Sequence, residues 1–312
     1  MKALSFLPLL LRGPWPRPCR LPSALVRATA LELAILAGHV LIYPSGITPE
    51  RRARTAPPGR GTAPEPQVTP TDTDRAAATG PAVTDETRGS ASPLGPPPAD
   101  DRPPVVLLHG FIDNRSVFVL LRRSLSRHGW HHLESLNYSP LTCDIRTAAE
   151  LLGRHVEEIC ARTGHREVDI VGHSLGGLIA RYYVQRLGGD RRVRTLVTLG
   201  TPHCGTAVAP VAGAHPIVRQ MRGGSDLIEE LRHPAPGCRT RFISFWSELD
   251  RMMVPVEAAC VDHPDLDAVN VRVTGIGHLA LPVHPAVAAA IRQALESDDS
   301  VDLSTPGATS VA

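Results

Sequence analysis

Apolar residues along this chain fall into short continuous runs that alternate with helical repeats. Val105, Val106, Leu107 and Leu108 form an unbroken apolar run, the pattern of a strand buried on both faces of a parallel sheet. Val117, Leu120, Leu121 and Leu125 then recur at helical spacing and predict one helix over 115–127. Residues 132–138 read as a strand. Ile145, Ala148, Ala149, Leu152, Val156 and Ile159 share one face of a helix over 144–162, with Cys143 or Asp144 to cap it and Gly164 to end it. Strands are expected at 168–171, 193–199, 241–246 and 269–274, and helices at 178–184, 225–231 and 285–295. Strands alternating with helices predict an α/β domain with a mostly parallel sheet over 103–297, followed by a polar tail at 298–312.

The first third of the chain has a different pattern. Residues 1–43 are apolar and basic, with Arg12, Arg17, Arg20 and Arg27 preceding an apolar stretch at 28–43. That stretch is shorter than the ~20 apolar residues of a comfortable bilayer span, and it contains Glu32 and His39. It suits a signal anchor, an amphipathic helix on a membrane surface, or a helix packed on the catalytic domain; arginines at 51, 52 and 54 weaken the spanning form. The expectation is an exported or membrane-associated protein. Residues 44–102, rich in Pro, Thr, Ala, Gly, Asp and Arg, predict a disordered linker that cannot bury enough apolar surface to offset its ordering entropy.

Composition narrows the partners. A net charge of +2, with arginines scattered rather than striped, gives no argument for nucleic acid. The cysteines at 19, 143, 160, 204, 238 and 260 show no Cys-x-x-Cys spacing, so a zinc ribbon or thioredoxin-like motif is not expected. Cys143 and Cys160 would lie about 25 Å apart along the helix expected at 144–162, too far for a disulfide.

The chemistry collects at predicted strand ends. Gly172-His173-Ser174-Leu175-Gly176 lies between an apolar strand and a helix. In that context Gly-x-Ser-x-Gly forms a sharp turn that pushes the serine hydroxyl out of the sheet, at a helix N-terminus that favours developing negative charge. A serine nucleophile needs a base, and the base an orienting acid. His278 follows the strand at 269–274 and is the candidate base; Asp250 follows the strand at 241–246 and is the candidate acid, with Glu248 and Asp262 as rivals and Asp226 ranked lower. The backbone N–H groups of Leu175 and of Phe111, just after His109-Gly110, are the candidate oxyanion donors. His173 is expected to pack or hydrogen-bond locally, and His109 to fix the shape of the oxyanion loop.

Residues 103–296 resemble bacterial lipases and esterases of the α/β-hydrolase fold. The resemblance rests on HGF at 109–111, VDIVGHSLGGLIARYYV at 168–184, RVRTLVTLGTPHCGT at 192–206, FISFWSELD at 242–250 and VRVTGIGH at 271–278. It implies Ser174, Asp250 and His278 as nucleophile, acid and base, and Phe111 and Leu175 as oxyanion donors. It further implies cleavage of carboxylic, mainly lipid acyl, esters through an acyl-enzyme without a cofactor. Calcium-dependent members carry an aspartate pair near the histidine loop; Asp262, Asp265 and Asp267 show no spacing that fixes a metal site, so none is assigned. An acyltransferase or thioesterase with the same triad, and a catalytically inactive membrane-tethered binding module, are the alternatives. Residues 207–238 are loop-rich, and their apolar segment 208–221 is expected to form a lid, an acyl-pocket wall or a packed excursion.

Overall fold

Six strands in the computed structural model line up in one sheet, every neighbouring pair parallel, in the order β2-β1-β3-β4-β5-β6. They are β1 (Val105–Leu108), β2 (Leu133–Leu136), β3 (Val168–His173), β4 (Val193–Leu199), β5 (Arg241–Ser247) and β6 (Asp267–Val273). The helices are α1 (Ser23–Ile47), α2 (Val119–Arg127), α3 (Ile145–Thr163), α4 (Leu175–Arg186), α5 (Pro216–Gln220), α6 (Asp226–Glu230) and α7 (Pro285–Glu296). The structure describes residues 23–47, 102–138, 144–208 and 215–296. The polar tail, Cys19 and Cys143 lie outside these, and so does the expected linker apart from 44–47, which continue α1, and residue 102.

The sheet separates two apolar layers. Side chains alternate across a strand, so Val106 and Leu108 of β1 face one layer and Val105 and Leu107 the other. The first layer holds α3, α4, α5 and α6, and all six apolar positions of the α3 stripe are buried in it. The second holds α2 and α7, through Leu121, Leu125, Val287 and Ile291. Two caps set the length of α3: the Asp144 carboxylate accepts the Thr147 N–H at 2.8 Å, and Gly164 closes the C-terminus at φ 79°.

The helix expected at 115–127 is broken in two. The Asn114 side chain accepts the Ser116 N–H at 2.9 Å and the Asn114 carbonyl accepts the Val117 N–H at 3.1 Å. These tight bonds wind Arg115–Phe118 as a 3-10 turn before α2 begins at Val119. In 208–221, Ile217 and Val218 are buried in the first layer, as are Leu227, Ile228 and Leu231 beyond it; residues 209–214 are outside the described set.

The apolar N-terminal stretch forms α1, which packs against the domain with Ala28 buried, Ile35 on the second layer and a face on the 115–118 turn. Among the described residues, no helix is long and apolar enough to cross a membrane.

The junction of β3 and α4 is packed backbone to backbone. A Cβ on Gly176 would lie 2.7 Å from the His109 carbonyl oxygen and still closer to that of Leu108; one on Gly177 would sit 3.0 Å from Thr201 Cβ. Backbone cannot yield as a flexible side chain can. Gly176→Ala should therefore cost about 3 kcal/mol and lower Tm by roughly 10 °C. A thermal melt within 2 °C of the parent, roughly the shift for under 1 kcal/mol, would show that α4 stands farther from β1.

Candidate active site

Parallel register brings the carboxyl ends of the strands to one edge. Leu108 pairs with Gly172, His173 with Leu199, Leu199 with Phe245, and Ser247 with Val273. The segments that leave those ends carry Phe111, Ser174, Asp250 and His278, so the sheet itself gathers residues far apart in sequence.

Ser174 has φ 52° and ψ −119°, and is the only non-glycine with positive φ among the described residues. Such a conformation costs about 1–3 kcal/mol and persists only where its surroundings over-determine it. Here they do. The Ser174 N–H donates to Leu199 O at 2.9 Å, and its carbonyl accepts from the Thr201 hydroxyl at 3.0 Å and the Gly177 N–H at 3.1 Å. Leu175 is the first residue of α4, where a helix has no carbonyl of its own to offer the N–H.

Asp250 and His278 form a buried pair, Nδ1 to Oδ2 at 2.7 Å. The other carboxylate oxygen accepts the Met252 and Met253 N–H groups at 2.8 and 3.1 Å, which fixes the carboxylate plane. The rivals lie elsewhere: Glu248 pairs with Arg272 at the surface, and Asp262 and Asp226 are exposed. Burial, the largest influence on His278, acts to lower its pKa; the charge and hydrogen bond of Asp250, helped by Asp113 and Glu32, outweigh it and hold the pKa above the ordinary 6.5.

Ser174 and His278 line one cavity of about 230 Å³ with Phe111, Met221, Leu249 and Met253 among its apolar walls. From α1, Ala28, Thr29 and Glu32 also line it. Gly110 brings the loop after β1 against the serine: a Cβ there would be 3.4 Å from Ser174 Cβ.

The neighbouring histidines tie the loops together. His109 donates from Nδ1 to the Gly110 carbonyl at 2.8 Å, its ring stacks on Tyr138 at 4.4 Å, and the Tyr138 hydroxyl donates to the His109 carbonyl. His173 reaches farther than its expected local role. Its Nε2 donates to the His278 carbonyl at 3.3 Å and its Nδ1 faces the Asp113 carboxylate at 3.2 Å, linking the His278 turn to the loop after β1. His203 lies buried on Thr198 at 2.9 Å, its pKa held well below the usual range by burial and then by Arg181. The Arg181 guanidinium, itself pushed down to about 10 by burial, holds the adjoining loop by donating to the His203 and Leu231 carbonyls. Asp113, Tyr138 and Glu32 were not among the residues picked out by motif. Only Glu32 carries a sequence signal, as a lone acid in an apolar stretch.

Among the described residues, no group of three or more His, Cys, Asp or Glu is arranged to hold a metal ion. Asp265 instead accepts the Ala235 N–H at 2.7 Å.

The sequence model of the family described as Palmitoyl protein thioesterase matches residues 104–260, half of the chain. The chain belongs to that family. The matched span holds Phe111, Ser174, Leu175 and Asp250 and stops before His278. Among curated proteins the chain is 31% identical over 119 residues to a triacylglycerol lipase of Pseudarthrobacter phenanthrenivorans, covering 36% of each, and to one of Burkholderia plantarii, covering 36% of this chain and 32% of the relative. The match thus spans about a third of those relatives. Among solved structures it is similar to the mature Bacillus licheniformis lipase BlEst2, with TM-score 0.54 and 17% identity, covering 65% of this chain and 95% of that one. Aspergillus fumigatus lipase B gives TM-score 0.56 and 16% identity, covering 64% and 55%. These likenesses place the sheet in the α/β-hydrolase fold.

A proton-NMR titration of the His278 ring in the folded protein should give a midpoint above 6.5. A midpoint below it would mean that burial, not Asp250, governs this imidazole.

Proposed function

We propose that the protein is a serine hydrolase that cleaves acyl esters, lipid esters foremost, through an acyl-enzyme on Ser174. The observation that carries this reading is the 2.7 Å His278–Asp250 pair opening onto the apolar cavity that Ser174 lines. Ser174 Oγ attacks the ester carbonyl while His278 Nε2 takes its proton. The Asp250 carboxylate keeps Nδ1 protonated, so that Nε2 is the accepting nitrogen, and stabilises the imidazolium that forms. The Phe111 and Leu175 N–H groups receive the negative charge of the tetrahedral oxygen, each donor contributing about 3 kcal/mol. His278 returns its proton to the leaving alcohol. Water then gives a proton to His278 and attacks the acyl carbon; as the bond to Ser174 Oγ breaks, His278 passes that proton to the serine oxygen, which releases the acid and restores free Ser174.

A second reading keeps every residue and changes the leaving group. A thioester releases a thiol instead of an alcohol, and the family description supports it. Paired oxyester and thioester substrates of equal acyl length, from C2 to C16, separate the two. Ser174→Ala should bring either activity to background, a loss of about a million-fold, and Asp250→Asn should cost about ten-thousand-fold. Activity that survives Ser174→Ala would sink both readings; a preference for C2 to C4 would remove lipids as the substrate.

The reading includes membrane association through the N-terminal segment. Its support is the outward face of α1, where Leu33 and Leu41 are 62% and 81% exposed, together with the arginines that precede it. The full chain should float with phosphatidylglycerol vesicles, and the double substitution Leu33→Glu, Leu41→Glu should release it. Parent protein that stays at the bottom of the gradient would end this part of the proposal.

A further inference from the structure

Glu32 lies 247 residues before Leu279 in sequence, yet its carboxylate sits on the turn that carries His278. Oε2 accepts the Leu279 N–H and Oε1 the Ala280 N–H, both at 3.0 Å. Those are the two amides directly after His278. On the other side, Gly277 leaves room for the acid: a Cβ there would lie 2.7 Å from Glu32 Cδ and 2.9 Å from Oε1. One carboxylate therefore bonds the chain after the histidine and packs against the residue before it. Outside this grip and the His173 bond to its carbonyl, the turn is tied to β5 by the Ser247 hydroxyl donating to Ile276 O at 2.5 Å.

The pairing is chemically selective. A carboxylate offers an acceptor to each of two converging N–H donors, and charge strengthens both bonds. Glutamine keeps one acceptor and turns an NH2 toward the second donor. Alanine removes both.

We infer that Glu32 of α1 is a positioning residue for His278, so that turnover depends on the N-terminal helix being seated on the domain. The inference rests on His278 acting as the base in the reading above. Glu32 also lines the cavity, but in this role it acts through the two amides after His278 rather than on the reacting atoms. It fixes the turn from which the imidazole reaches Ser174.

The charged and titratable groups around His278 are Asp250 after β5, Asp113 on the oxyanion loop, His173 on β3, Glu32 on α1, and Arg251 on the cavity wall. Removing the Glu32 charge takes away one of the groups that favour the protonated imidazole. A base works only when neutral, so the acid limb of kcat/KM then moves to lower pH.

The test uses the full chain with Glu32→Gln, Glu32→Ala, Gly277→Ala and the Glu32→Ala, Gly277→Ala double variant, assayed on one p-nitrophenyl ester across pH. Glu32→Gln should lower kcat about tenfold or more with KM little changed, and should shift the acid limb downward. Glu32→Asp, one methylene short, should recover the parent limb and part of kcat. Gly277→Ala displaces a flexible side chain rather than backbone, so it should reproduce the Glu32→Ala loss, and the double variant should be no worse than either alone. Should Glu32→Ala fold poorly, the Glu32→Gln and Gly277→Ala profiles carry the test. Parent-like kcat and acid limb in Glu32→Gln, or losses that multiply in the double variant, would overturn the inference. If the parent protein hydrolyses no ester or thioester, the underlying hydrolase reading falls, and this inference with it. If the parent is active and Ser174-dependent while the Glu32 variants match it, only the inference falls.

Discussion

A single strained residue governs the layout. Ser174 holds a backbone conformation that costs about 1–3 kcal/mol, and three hydrogen bonds from β4, its following loop and α4 keep it there. The turn is sharp because α4 runs back against the end of β1, at a distance only glycine at 176 permits. That contact in turn requires β1, β3 and β4 to be adjacent and parallel, as they are. The cavity follows from the same geometry, since every strand ends at the same edge and the loops must spread around the serine.

Electrostatics adds a second layer to this frame. The imidazole of His278 is buried, which alone would favour its neutral form, and Asp250 opposes that at 2.7 Å. Around the pair, further bonds run between segments: His173 joins the loop after β1 to the His278 turn, Arg181 joins α4 to the loop after β4, and Glu32 joins α1 to the His278 turn. In the proposed reaction the base and the oxyanion donors thus move together or not at all, which is the preorganisation such a site needs.

The features legible in the sequence are those with a local physical signal. The apolar runs of β1 and β4, the stripe and caps of α3, and the strand–turn–helix setting of Ser174 all depend on neighbours in the chain. Asp250 was separable from Glu248 only by position, and the structure separates them by geometry, turning Glu248 outward to Arg272. The break at Phe118 was hidden because apolar spacing continues through it; the Asn114 side chain, not hydrophobicity, starts the chain on a 3-10 turn. The partnership of His173 with Asp113, and of Glu32 with the 279–280 amides, is tertiary and has no periodicity to reveal it. The apolar stretch at 28–43 was compatible with three placements by composition; α1 has one face on the domain and an exposed one.

The account turns on Ser174 being an activated nucleophile held by its fold. The most direct measurement is intact-mass and peptide mapping after reaction with a fluorophosphonate, on native and on urea-unfolded protein. One adduct per chain, on Ser174 and only in the folded state, is the predicted result. No adduct on native protein, or an adduct on another residue, would contradict it.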